Sequence, residues 1–519
     1  MTARRWRVIA RALLLCGALW HPAGLQADSR GALQKAATLV QQGRLDEADQ
    51  QARLALADPE TRPAAYSVLG AIRFQQHRLD ESAKLLREAV RLEPRLIGAH
   101  LTLAQVYTLQ GKSALGLGVF QRVLELDPSN ATARLALAAA ETEKGNYHRS
   151  LDLARPALDA FKQSPEGLFV LVTDFLKTGD RAAASELASR WPHLADVPEP
   201  WTIRFALLLV REGLVAEGMD LLERALQSSP SSYELAFNLG SAYVLKDDLA
   251  RALDAYDLAL GLRPDSLPAL RQAAGIAERH GELERALSYW LRARKLDPEN
   301  PEILLGFGRV CLKMDLLEDA EPALTKAASL RPEEVPYQYA LAAAKVGKRQ
   351  FEAAQALLED LVGKRPQDAL LQYALGSVLY IQGHLPEAAA RLRESIRLQP
   401  DQLAAQYYLA LVARDEGHDA EAIASLEKLL ERHPDHFASC EVLGGLLMNA
   451  QRYDEAEEHL RRAVRLNPKS IKANYQLGLL LARMGKKEEA DSQLALARSL
   501  REEDEATSRL QLRLLEPDK

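Results

Sequence analysis

Apolar and polar positions alternate along most of this chain with the spacing of amphipathic helices. The stretch Gly383 to Pro400 (GHLPEAAARLRESIRLQP) reads as one such helix closed by a proline. Prolines of this kind stand at 94 and 128, and again at 230, 264, 298, 332, 366, 400, 434 and 468, so every step within each run is 34 residues. A fixed period of this length marks a chain built from repeated supersecondary units. Setting each proline at position 32 gives repeats that begin at 29, 63, 97, 131, 165, 199, 233, 267, 301, 335, 369, 403, 437 and 471 and run to 504 without an inserted residue.

Positions that did not define the frame obey it. Position 20 is Ala, Gly or Ser in all fourteen repeats, with Ala388 and Ala422 as examples, and position 8 is Gly or Ala in every repeat except the one carrying Val172. Position 15 is Gly in nine. The pattern predicts a helix, a tight turn and a second helix in each unit. Small side chains at 8 and 20 let the two backbones approach. Glycine at 15 reaches positive φ and ends the first helix, and proline at 32 stops the second. Leu375, Leu379 and Leu392 mark the apolar seam, which one helix pair cannot cover and which stacking makes continuous.

The sequence resembles the tetratricopeptide-repeat family. "AFNLGSAY" at 236–243, followed by Ala252, Tyr256, Ala259 and Pro264, is close to the family pattern, although the Trp favoured at position 4 is Ala236 here and occurs in no repeat. The resemblance implies an all-α fold: a right-handed α-solenoid, or superhelix, of about fourteen 34-residue helix-turn-helix repeats. The expected organisation is a leader over 1–27, five repeats over 29–198, nine over 199–504 and a capping helix over 505–519. The region 146–200 departs most from the pattern. Pro156 falls inside an expected second helix and should kink it, position 32 is Lys162 and then Asp196, and prolines appear at 165, 192, 198 and 200.

The first residues differ in kind. Arg4, Arg5, Arg7 and Arg11 precede the apolar run Ala12 to Trp20, and His21 to Ala27 breaks it and ends on a small residue. This is the pattern of a secretory signal peptide cleaved near Ala27, and its apolar run is short of the ~20 residues of a spanning helix. A periplasmic or secreted protein with no membrane span after cleavage is expected, with a retained N-terminal anchor as the alternative. Leu15 stands where a lipoprotein signal wants Gly or Ala, so Cys16 is not expected to carry lipid. Cys311 and Cys440 are single, far apart and read as small buried hydrophobes. A formal charge of −6 gives no reason to expect nucleic acid.

Little room is left for chemistry. "QGKS" at 110–113 resembles the end of a phosphate-binding loop, but Val106 occupies the place of its upstream glycine, and the frame makes these residues a turn. His433 and His436 flank a repeat proline on an exposed turn, where the frame gives no reason to expect a metal site. Neither an enzyme, nor a metal, nor a cofactor is expected.

What remains is surface. In this family, positions 2, 5, 9, 12 and 13 of the first helices line a groove that holds ligands. Position 5 carries Phe169, Phe237, Tyr339, Tyr373, Tyr407 and Tyr475; Tyr380 adds a ring at position 12. Arg271, Arg279, Arg309, Lys313, Arg414 and Arg483 occupy other groove positions. The candidate ligand-binding set is therefore Tyr339, Tyr373, Tyr380, Tyr407, Tyr475, Arg309, Lys313, Arg414 and Arg483. A row of phenols beside guanidinium groups suits an extended peptide or protein. The same tyrosines could instead pack between adjacent first helices. The Lys/Asn clamp by which some members hold chaperone tails is missing, since Gly275 follows Arg271 where Asn is needed, and Asn238 is the only trace of the asparagine ladder of O-linked glycosyltransferase arrays. The expected function is a non-enzymatic scaffold of the bacterial cell envelope, active in exopolysaccharide export or in secretion or appendage assembly. The alternatives are a carbohydrate-binding module that takes polysaccharide and a cytoplasmic regulator.

Overall fold

Helices begin where the 34-residue frame places them. The computed structural model describes residues 25–504, which form helices and turns with no strand among them. From residue 97 onward every first helix opens on position 1 of its repeat, as in Ile97–Leu109, Glu199–Arg211, Pro301–Lys313 and Ile471–Arg483. Every second helix opens on position 17, as in Leu45–Leu54, Leu249–Leu262 and Leu385–Leu398. The chain forms two compact units, one up to Lys246 and one from Asp247. Within each, successive helical hairpins stack on their neighbours.

Three positions build the hairpin. The nine glycines at position 15 all have positive φ, from Gly43 (72°) to Gly485 (78°). The other five repeats force His77, Asp247, Asp315, Arg349 and Gln451 into the same left-handed conformation at φ 58–61°. Position 24 carries the side chain that fills the hairpin: Leu86, Leu324, Leu392 and Leu460 are wholly buried, each contributing roughly 1.5–3 kcal/mol. Position 8 must then be small. A Cβ on Gly70, Gly308, Gly376 or Gly444 would come within 2.5, 2.4, 2.8 and 2.5 Å of the Cγ of those same leucines. The repeat with bulk at position 8, Val172, has Ala188 at position 24, which keeps the paired volume low.

Position 34 caps the next first helix. The side chains of Asn130, Ser164, Ser232, Ser266, Asn300, Asp368 and Ser470 each accept a hydrogen bond from the backbone N–H three residues on.

The irregular segment lies inside the first unit. The second helix of repeat 131–164 stops at Ala154, passes through a 3₁₀ turn at Arg155–Ala157 around Pro156, and resumes as Leu158–Lys162. In the next repeat Arg181–Ala188 is cut short and a 3₁₀ turn, Trp191–His193, follows. Trp191 is buried and stacks on Phe205 with ring centroids 3.9 Å apart at 8°, its indole N–H donating to Thr202 Oγ1 at 3.3 Å. One large ring thus replaces the missing turns of helix. Cys311 and Cys440 are both buried free thiols, as their isolation in the sequence implied. The signal-peptide pattern before residue 25 and the C-terminal cap at 505–519 lie outside the described residues. No described helix is long and apolar enough to cross a membrane.

Candidate functional site

Three consecutive first helices of the first unit, Pro165–Thr178, Glu199–Arg211 and Tyr233–Leu245, enclose an open cleft of about 830 Å³. Phe169, Ile203, Leu207 and Leu245 supply its apolar lining, from positions 5, 5, 9 and 13 of their repeats. Glu199, Arg204, Arg211, Glu234 and Asn238 supply its polar edge. One wall is a layered contact in which the Phe169 and Trp201 rings meet edge to face at 5.9 Å. The Arg204 guanidinium lies 4.6 Å from the centre of the first ring and 5.4 Å from that of the second. Leu245 is 69% exposed, the most exposed large apolar side chain among the described residues. Together with Phe169, Ile203 and Leu207 it forms the apolar part of the cleft surface.

The aromatic row in the second unit is built differently. Tyr339 and Tyr373 are buried, Tyr373 at 1% exposure, within one hydrophobic core with Leu375, Val378 and Leu392. The expectation of a line of open phenols fails for these two. Their neighbours at position 9, Ala343 and Ser377, are small and themselves buried, and a Cβ on Gly445 would lie 2.7 Å from the Gln476 amide of the next first helix. With so little bulk between them the first helices close over position 5. Residues 371–379 and 439–448 are accordingly buried on every side.

Tyr380, Tyr407 and Arg414 do come together, through a residue the groove pattern missed. Tyr408, at position 6, meets Tyr373, Tyr380 and Tyr407 edge to face at 6.0, 5.5 and 5.7 Å. The sole Tyr-Tyr doublet in the sequence was the available signal. Tyr380 donates to Asp415 Oδ2 at 2.7 Å, and Arg414 donates to Asp415 Oδ1 at 2.7 Å and to the Tyr380 hydroxyl at 3.1 Å. Burial, then donation to Asp415, pushes the Tyr380 phenol up; burial does the same to Tyr407 and carries Tyr408 up to about 12. Burial opposes ionisation of Asp415, but the Arg414 guanidinium and Tyr380 hydroxyl more than offset it and hold the carboxyl below its ordinary value. Tyr380, Arg414 and Asp415 satisfy one another, and burial keeps the phenols neutral.

The remaining candidates are scattered. Arg309 and Lys313 both reach Glu278 of the preceding first helix, at 2.9 and 3.3 Å. Tyr475, 46% exposed, and Arg483, also exposed, stand on Ile471–Arg483. Among the described residues no group of three metal-ligating side chains converges.

Models of tetratricopeptide repeats match residues 101–165, 203–266 and 382–437, and a further TPR repeat model matches 444–485. The middle TPR-like domain of cilia and flagella-associated protein 70 matches 270–383. The chain is a tetratricopeptide-repeat protein. Among curated proteins it is similar to the Arabidopsis thaliana protein CTR9 homolog, with 23% identity over 54% of this chain and 27% of that protein. It is also similar to tetratricopeptide repeat protein 8 of Caenorhabditis elegans, with 22% identity over 41% of this chain and 42% of that protein. The matches thus span about a quarter and two-fifths of those relatives. Among solved structures, the APC/C hetero-tetramer Cut9–Hcn1 is similar at 14% identity and a TM-score of 0.41, over 85% of this chain and 95% of the other. Tetratricopeptide-repeat proteins are generally non-enzymatic scaffolds that bind protein or peptide partners.

Proposed function

We propose that this tetratricopeptide-repeat protein is a scaffold that takes an extended segment of a partner protein into the cleft between Pro165–Thr178, Glu199–Arg211 and Tyr233–Leu245. The observation that carries this reading is Leu245, 69% exposed beside Ile203 and Leu207 at the open side of the cleft. An apolar anchor of the partner would cover these residues, while Arg204, Arg211, Glu199 and Glu234 would meet its flanking polar groups. A photoreactive side chain at Asn238 tests it: the cross-linked partner should vanish in Leu207→Asp and Leu245→Asp and persist in Tyr475→Ala. Unchanged cross-linking in both cleft variants would refute the assignment.

The same proposal places the protein outside the cytoplasm, among cell-envelope partners. Its support is the basic and apolar pattern of residues 1–27; the two relatives are eukaryotic proteins and lend it nothing. Fractionation of the full chain, with N-terminal sequencing of the mature form, decides it, and a mature protein that retains Met1 in the cytosol would sink it. Polysaccharide binding along the tyrosine row loses its platform, because Tyr339 and Tyr373 are buried.

A further inference from the structure

Asp174 is wholly buried where two repeats meet. Thr142, from the first helix of the preceding repeat, lies with Oγ1 2.8 Å from Asp174 Oδ1, and Ser150, from its second helix, is the other hydrogen-bonding partner. Asp174 Oδ2 meets no partner among the described residues. The surroundings favour the neutral carboxyl. Thr142 Oγ1 lies among Ala138 O at 3.1 Å, Ser150 Oγ at 2.9 Å and Asp174 Oδ1 at 2.8 Å. An ionised Asp174 has only the neutral hydroxyls of Thr142 and Ser150 as partners and leaves Oδ2 bare, with no cation bonded to it among the described residues, so burial costs the charged form more than the neutral one.

The charged groups on the surrounding elements are engaged elsewhere or exposed. On Ala131–Glu143, Arg134 donates to the carbonyls of Pro128 and Leu153, Glu141 is held by Lys144 and Asn146, and Glu143 is exposed. Around Tyr147–Ala154 and Leu158–Lys162, Arg149 turns to Glu141 and Asp152 pairs with Arg155; His148 and Asp159 are exposed, and Tyr147 and Lys162 are half-buried. On the far side, Arg211 reaches Glu212, which also holds Lys177 of Asp174's own helix, Arg204 covers Phe169, Glu199 accepts from Ser232, and Arg181 and Glu186 are exposed. On Asp174's own helix, Glu166 has one buried oxygen without a partner and is also pushed up by burial.

We propose that Asp174 makes the interface between repeats 131–164 and 165–198 a proton-controlled joint, firm while its carboxyl is protonated and loosened once it ionises. The backbone there is already weakened, by the break at Arg155–Ala157 and the short helix Arg181–Ala188. Burial pushes the Asp174 carboxyl up to about 6, with the Ser150 and Thr142 hydrogen bonds pulling the other way. A folded-state value above the unfolded one means that the stabilisation is complete below the ordinary aspartate range and is lost as pH rises through about 6. The joint stands whether or not the cleft takes a partner.

Hydrogen exchange of the full chain, corrected for intrinsic rates, tests it. Between about pH 4 and about pH 7, opening of residues 131–198 relative to 369–402 should rise by up to about 100-fold in the wild type and stay flat in Asp174→Asn. Thr142→Val, which removes a hydrogen bond to the ionised form, should move the midpoint upward, and Glu166→Gln should leave the rise in place. A flat wild-type profile, or a rise that survives Asp174→Asn or disappears in Glu166→Gln, overturns the proposal.

Discussion

The side-chain amide of Gln372 donates to the carbonyl oxygen of Pro366 at 2.9 Å, and both belong to the junction between two repeats. Gln372 is position 4 of its repeat and Pro366 is position 32 of the one before. The same latch joins Gln406 to Pro400 at 2.7 Å, Asn474 to Pro468 at 2.9 Å and Arg134 to Pro128 at 2.8 Å. His100 contacts Pro94 O at 3.0 Å in the same way. A polar side chain thus holds the place of the family's usual tryptophan. Because Gln372 is 2% exposed, Gln372→Leu should leave the Pro366 carbonyl without this donor and cost about 1–3 kcal/mol. Urea unfolding followed across 335–402 measures the loss, and an unshifted midpoint would count against the latch.

Five repeats carry a side chain at position 15 where the backbone is left-handed. Gln451, at φ 61° and exposed, is the simplest to change. Gln451→Gly should stabilise the hairpin 437–470 by about 1 kcal/mol, the relief of a left-handed L-residue less the extra entropy of glycine. Slower amide exchange in that hairpin is the expected reading.

Two helical glycines should respond in opposite directions to one added methyl group. Gly98 is exposed with nothing within 4 Å of a would-be Cβ, so Gly98→Ala should gain up to about 1 kcal/mol from helix propensity. At Gly167 the same atom would fall 2.2 Å from the Phe161 carbonyl oxygen and 2.5 Å from its Cα. Backbone cannot swing aside as a side chain can, so Gly167→Ala should cost about 3 kcal/mol or more. Paired thermal melts compare them directly.

Alkaline titration reports on the tyrosine cluster. Burial carries Tyr408 up to about 12, so the fold favours the neutral phenol; its contribution is complete below the ordinary tyrosine value and is lost as pH rises through about 12. Phenolate absorbance should show a late class of tyrosines that shrinks in Tyr408→Phe. An unchanged late class in that variant would place the shift elsewhere.

The frame was legible in the sequence because each of its positions answers a local demand. Gly383 and its equivalents must reach positive φ, Ala388 must let a helix pass, and Pro400 must end one. The kink at Pro156 was legible for the same reason. Openness is not local. Whether Tyr373 faces a ligand or a core depends on what the neighbouring first helices bring beside it, and small buried residues such as Ser377 and Ala343 leave it enclosed. The position rule therefore named groove residues in the second unit, while the cleft opened in the first, around Leu207 and Leu245. Apolar side chains at those two groove positions were the clue that a search for aromatic rings passed over.

An uninterrupted count of 34 from residue 29 to residue 504 makes this molecule quantised in length. Excising 369–402 would place Gln406 six residues after Pro366, the same spacing of proline and donor that the excised unit made with each of its neighbours. Growth or shrinkage by whole units therefore keeps the spacing of the latches, whereas the loss of a single residue breaks the register of the repeat that loses it.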